Sequence, residues 1–231
     1  MFKDIKDLDE MQTALDAYLP VMNTSCVCGA LSQLAKIELP EGGDWGSSSP
    51  QLNAGCPLQQ RQELAARLSA ALCSPWGGRK APPPVNRLQH WQLANVLWAW
   101  AKLQHWPQEH FMQLMDAFVS ASSTSPDTRP QALANAAWAL GTSWKAWQQG
   151  EPQSWHPSRS LVESLMIRMT TWCLPLLRVS NAQDVSTLLL ASAYAEAPLP
   201  AGPWVCTWLI SNTARLWLSV CVCVGGSGHE L

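Results

Sequence analysis

Apolar residues recur along most of this chain at helical rather than strand spacing. Leu93, Val96, Leu97 and Trp100 fall at i, i+3, i+4 and i+7, which is one face of a helix, and alanines fill its tighter flank. The ten residues Leu93 to Lys102 align with Leu133 to Thr142 at a shift of 40, and Val185 to Tyr194 follows at a further shift of 52. A fainter copy, Gly29 to Ile37, keeps the Ala-Lys pair. Between the copies lie second amphipathic stretches: Pro57 to Leu72 with Leu64, Leu68 and Leu72, Pro107 to Val119 with Phe111, Leu114, Met115 and Phe118, and Pro157 to Met169 with Leu161, Leu165, Ile167 and Met169. The pattern predicts a unit of roughly 40 residues, helix A opening at a proline and helix B carrying Leu-Ala-Asn-x-x-Trp-Ala. A period of that size marks stacked helical hairpins, so the expected fold is all-α, a right-handed α-solenoid of hairpin repeats.

Punctuation sets the boundaries. Asn181 stands three residues before Asp184 as in a capping box, and Pro130 suits a first helical turn. The expected layout is a degenerate hairpin at 1-40, a Gly/Ser/Pro-rich linker at 41-56, and an array over 57-217. Within the array fall repeats 57-105, 107-146 and 157-197 and a half repeat at 203-217, with a low-complexity tail at 218-231. Ser74 to Asn86 and Trp144 to His156 read as surface insertions, since glycine and proline clusters break helices. Val220-Cys221-Val222-Cys223-Val224 is encodable by an uninterrupted GTG-TGT alternation. The tail is therefore expected to be translated simple sequence, and the chain a fragment of a longer array.

Composition sharpens this reading. Hydrophobic residues make up 47% of the 231 residues and charged residues 14%, enough apolar surface for a core and too little charge for a self-repelling disordered chain. The 14 tryptophans beside 3 Phe and 2 Tyr need a positional rule, and Trp98 and Trp138 supply one as equivalent helix-B residues, expected to be buried. Trp91, Trp106, Trp144, Trp147 and Trp155 fall near helix ends, where an indole either shields the end or stacks on a base. The net charge is only -2, but residues 1-50 hold three lysines against eight carboxylates, while the remainder holds 12 basic and 9 acidic groups. A mildly basic body is compatible with an anionic partner without requiring one.

Other chemistries find little support. MFKDIKDLDE is too acidic for a signal peptide, so the eight cysteines are expected to be reduced. Cys26-x-Cys28 and Cys221-x-Cys223 lack zinc-knuckle spacing, and no metal or other cofactor is expected. No apolar run approaches the ~18 residues of a membrane span. The five histidines are scattered, with no G-x-S-x-G, glycine-rich phosphate loop or H-E-x-x-H, and no catalytic residue is assigned.

The run Leu-Ala-Asn-Val-Leu-Trp-Ala-Trp-Ala-Lys-Leu at 93-103, with Pro130 to Asn135 and Asn181 to Ser186 as further helix-B openings, resembles the octotricopeptide repeat. That family is abundant in the organelles of green algae and is related to the leucine-rich helical region of FAST-kinase-domain mitochondrial proteins. The resemblance covers about 57-197 well and 1-40 weakly; at 181-194 Leu190 replaces the tryptophan and Thr187 the asparagine. It implies post-transcriptional control of transcript stability, processing or translation in a chloroplast or mitochondrion. The implied partners are single-stranded organellar RNA and other ribonucleoprotein components, with neither DNA nor membrane.

On that basis the base-reading candidates are polar positions that vary between copies near helix starts: Gln92 and Asp184 on helix B, Gln108 and Ser158 on helix A. Phosphate-contact candidates are Arg79, Lys80, Arg87, Arg129 and Arg159. Asn95 and Asn135 recur at one position, and are read as scaffold residues bonding a neighbouring backbone, because a recognition position should vary between repeats. The alternative function is a protein-protein scaffold without RNA binding, which the near-neutral charge favours.

Overall fold

The computed structural model describes residues 2-39, 57-73, 88-125, 127-149, 157-176 and 179-197. Among them the chain is all-helical: α1 (Leu8–Tyr18), α2 (Thr24–Leu34), α3 (Pro57–Cys73), α4 (His90–Leu103), α5 (Gln108–Thr124), α6 (Pro130–Gln149), α7 (Arg159–Leu176) and α8 (Ala182–Tyr194), with a 3-10 turn at Leu19–Val21. The expected linker, the insertion at 74-86, the half repeat and the tail lie outside the described residues.

Local signals fix the starts. Asp7 accepts from the Glu10 amide at 2.8 Å, Asn23 from Cys26 at 2.9 Å and Asn181 from Asp184 at 2.7 Å, each satisfying a donor that the first helical turn leaves unpaired. The ends are equally particular. Gln104 after α4 and Glu196 after α8 occupy equivalent repeat positions, and both are left-handed, at φ 52° and 50°. The amide that follows each bonds five residues back, His105 to the Trp100 carbonyl and Ala197 to that of Ser192, the closing bond of a Schellman-type stop. In α6 that position is Trp144, and the helix runs on to Gln149. The expected loop is corrected over 144-149, and its remainder, 150-156, lies outside the described residues. Trp144 and Trp147 continue the apolar face of Leu133, Ala137 and Leu140, and both indoles are buried.

The helices pack in two interleaved sets. Each even-numbered helix touches the next, α2 to α4, α4 to α6 and α6 to α8, while α1 packs on α3 and α5 on α7. The odd helices α3, α5 and α7 lean more on the even helix before them than on the one after, so the packing pair is offset from the A-then-B sequence unit. Burial repeats with the sequence: residue by residue, 91-100 and 131-140 have the same order of exposed, half-buried and buried positions. Trp98 and Trp138 are half-buried against the core rather than enclosed, a correction to the expected burial, and the enclosed indole of α4 is Trp100. Its Nε1 donates to Ser69 Oγ of α3 at 2.8 Å. Edge-to-face contacts of Trp106 with Phe111 (5.8 Å) and Phe111 with Trp147 (5.6 Å) bind the α4–α5 turn, α5 and α6 together.

Two substitutions at glycine should have opposite signs. A Cβ on Gly141 of α6 would lie 2.5 Å from the Ala191 carbonyl oxygen of α8, whereas one on the exposed Gly29 of α2 meets nothing within 4 Å. Gly141→Ala is expected to lower the urea-unfolding free energy by about 1–3 kcal/mol through overpacking, and Gly29→Ala to raise it by about 0.4–1 kcal/mol. The α4–α5 turn also carries a pH signature. Burial lowers the His105 pKa below its ordinary value, and Nε2 is enclosed without a partner. Unfolding therefore takes up a proton as pH falls through about 6.5, the unfolded value. Stability should drop between pH 7 and 5 in urea titrations, and less steeply in His105→Gln.

Candidate nucleic-acid interface

The even helices bury two faces, one on each other and one on the odd helices, and leave a third to solvent. That third face repeats at i, i+4, i+7 and i+11: Ser25, Gly29, Ser32 and Lys36; Trp91, Asn95, Trp98 and Lys102; Gln131, Asn135, Trp138 and Thr142; Gln183, Thr187, Leu190 and Tyr194. None of these residues is buried and none is acidic. Helical carboxylates sit instead on the odd helices, Asp9, Glu10 and Asp16 on α1, Glu63 on α3, Glu109 and Asp116 on α5 and Glu163 on α7; the lone carboxylate of the even helices is Asp184. The surface is thus built of amides, hydroxyls, aromatic rings and a few cations.

Between α4 and α6 this face forms an open cleft of 980 Å³, lined by Trp91, Asn95, Asp127, Arg129, Gln131 and Asn135 among others. A smaller cleft of 420 Å³ between α2 and α4 shares Trp91 and Asn95 and adds Lys3, Ser25, Cys26 and Gly29. Trp91 donates its indole N–H to Gln89 Oε1 at 2.7 Å while the residue stays 47% exposed. Its polar edge is satisfied internally and its ring surface is free for a flat ligand. The amides of Asn95 and Asn135 are half-buried and make no hydrogen bond among the described residues, which corrects the scaffold reading of this position. Each amide offers two donors and an acceptor to whatever enters the cleft.

The candidates chosen for varying between repeats fare differently. Gln92 is 7% exposed and fully engaged: Oε1 accepts from the Gln89 amide at 3.1 Å and Nε2 donates to Ser25 Oγ at 2.9 Å, joining α4 to α2. Asp184 is 8% exposed and accepts from the Asn181 amide at 3.3 Å. Both are helix-start residues of a reciprocal cap rather than ligand groups, because their position three residues after the N-cap turns the side chain back on the helix. Ser158 is exposed and accepts from the Leu161 amide at 3.2 Å as the cap of α7. Gln108 is the first residue of α5. Arg129 is exposed in the α4–α6 cleft. Arg159 is exposed and holds Glu163 at 2.7 Å and Glu196 at 3.3 Å. Those carboxylates raise its pKa above the ordinary value. Arg79, Lys80 and Arg87 lie outside the described residues.

Of the helix-end tryptophans, Trp106, Trp144 and Trp147 pack against the core, Trp155 is outside the described residues, and Trp91 alone is exposed in a cleft. Among the described residues no three metal-ligating side chains converge and no helix is long and apolar enough to cross a membrane. No protein-family model, curated protein or solved structure matches the chain.

The assignment of Gln92 and Asp184 to helix starts has a direct consequence. Gln92→Ala and Asp184→Ala should each cost about 1 kcal/mol of stability in urea unfolding. Asp184→Ala should leave the affinity of a ligand bound on the even-helix face unchanged once the protein is folded.

Proposed function

We propose that this chain is an RNA-binding helical-repeat protein, an α-solenoid of hairpin units that takes single-stranded RNA along the solvent-facing side of its even-numbered helices. The observation that carries the reading is the pair of repeat-equivalent amides, Asn95 and Asn135, half-buried in one cleft without an internal hydrogen bond, beside the exposed ring of Trp91 and the guanidinium of Arg129. Unpaired bases offer what these groups take: a π-face for an indole, donor and acceptor edges for an amide, and phosphates for cations. Exclusion of helical carboxylates from this face lowers the repulsion a polyanion would meet, and Arg129 offsets Asp127 within the cleft. The solenoid description is supported by the successive contacts of α2, α4, α6 and α8 and by the shared burial order of 91-100 and 131-140.

In this reading the array acts by occupancy: a bound segment is withheld from nucleases or from pairing, which fits post-transcriptional control of an organellar transcript, as the octotricopeptide resemblance implies. A scaffold for proteins would more readily use an apolar groove, and the α4–α6 cleft is lined chiefly by amides, hydroxyls and charged groups.

The test is anisotropy of fluorescein-labelled single-stranded RNA with the full chain. Asn95→Ala/Asn135→Ala should weaken binding about tenfold, from the loss of two hydrogen bonds of about 0.7 kcal/mol each. Its urea midpoint should not change, since neither amide bonds within the protein. Failure of the parent chain to bind any RNA at low salt, or equal binding by the double variant, would overturn the assignment.

A further inference from the structure

At the C-terminal ends of α2 and α4 a third open cleft, of 940 Å³, is lined by Lys36, Glu38, Arg61, Trp98 and Lys102 among others. Its volume lies within the range of about 300–1,000 Å³ usual for ligand clefts. Lys36, in the turn that ends α2, and Lys102, in the last turn of α4, occupy the same repeat position, are exposed, and take part in no ion pair or side-chain hydrogen bond among the described residues. Arg61 reaches in from α3. One Nη donates to the Ala35 carbonyl at 3.3 Å, while Nε is enclosed without a partner. Trp98, half-buried, forms part of the same wall.

Lysines near helix C-termini ordinarily serve the helix dipole, and that role alone would call for one at the end of α8 too, where the equivalent residue is Tyr194; in α6, which runs on past this position, it is Thr142. The paired cations therefore belong to one place along the array, the groove between α2 and α4. Three cations there outweigh Glu38 and the two half-charges of the helix ends, leaving a net attraction for an anion. The indole beside them distinguishes a nucleotide from a bare anion or an acidic peptide, because only the nucleotide brings a flat aromatic group together with a phosphate.

We propose that this cleft is a nucleotide subsite, with a base against Trp98 and a phosphate between Lys36 and Lys102, anchoring one end of the strand whose other bases meet Asn95 and Asn135. The inference rests on the RNA-binding reading, but it assigns different residues and fails separately.

The experiment uses the full chain and an oligouridylate carrying 5-iodouridine. Irradiation should crosslink Trp98, located by sequencing the tryptic peptide. Lys36→Gln/Lys102→Gln should make the slope of log affinity against log salt shallower by about 0.7, the value for one phosphate contact on a single strand. Both lysines are at the surface, so this variant folds as the parent does, and its helical circular dichroism checks that. An unchanged slope, or crosslinks at Trp91 and never at Trp98, would overturn the subsite; if Asn95→Ala/Asn135→Ala still weakens binding, RNA binding itself stands. Displacement of the RNA by poly-glutamate of equal charge at equal concentration would reduce the site to a general anion patch. A parent chain that binds no RNA overturns both.

Discussion

The close approach of even-numbered helices through small residues is the constraint on which the rest depends. At the α6–α8 crossing the backbone of Gly141 lies so near Ala191 that no Cβ fits between them. The repeat-equivalent pair one step earlier is Ala101 and Ala139, both buried. Helices joined through glycine and alanine have no room for large side chains on that flank, so Trp100, Leu97 and Leu140 fill the space toward the odd helices instead. The third face is then left to solvent. Its polarity follows from geometry: residues at i, i+4, i+7 and i+11 point away from both packed flanks.

That division of faces explains where charge goes. Carboxylates on the odd helices are free to pair with neighbours, as Asp16 does with Arg67 at 2.7 Å and Glu163 with Arg159. Arg67 and the Gln12 amide together hold the Asp16 carboxyl below its ordinary pKa, Gln12 contributing most. The even helices instead present rings, amides and lysines with few internal obligations. Trp91 shows the arrangement at the level of one residue: its N–H is satisfied by Gln89, which fixes the ring at the cleft edge without covering it. Buried thiols nearby are inert by the same packing, burial pushing Cys28 and Cys73 up to about 12.

Much of the fold was legible in the sequence because hydrophobic period and capping chemistry are local. The starts of α3, α6 and α8 follow from Pro57, Pro130 and the Asn181/Asp184 box. The overrun of α6 was not legible, since it depends on Trp144 and Trp147 finding a core that includes Phe111 of another helix, a tertiary contact that overrides a loop-like composition. The candidate site was misread for a different physical reason. Variation between repeats pointed to Gln92 and Asp184, yet a residue three places into a helix is also where a side chain caps the helix start, and the cap prevails. Repetition pointed to a scaffold role for Asn95 and Asn135. Neither amide has a hydrogen-bonding neighbour in the described structure, and that is a property of the space between α4 and α6.

The two recurring amides, in the proposed RNA-binding array, face a ligand rather than the protein. Side-chain amide resonances of asparagine-labelled protein test it directly, with Asn23 and Asn181, both bonded in helix caps, as internal controls. On adding single-stranded RNA the Asn95 and Asn135 side-chain signals should move while those of Asn23 and Asn181 stay in place. Stationary Asn95 and Asn135 signals in the presence of bound RNA, or equal movement of all four, would contradict it.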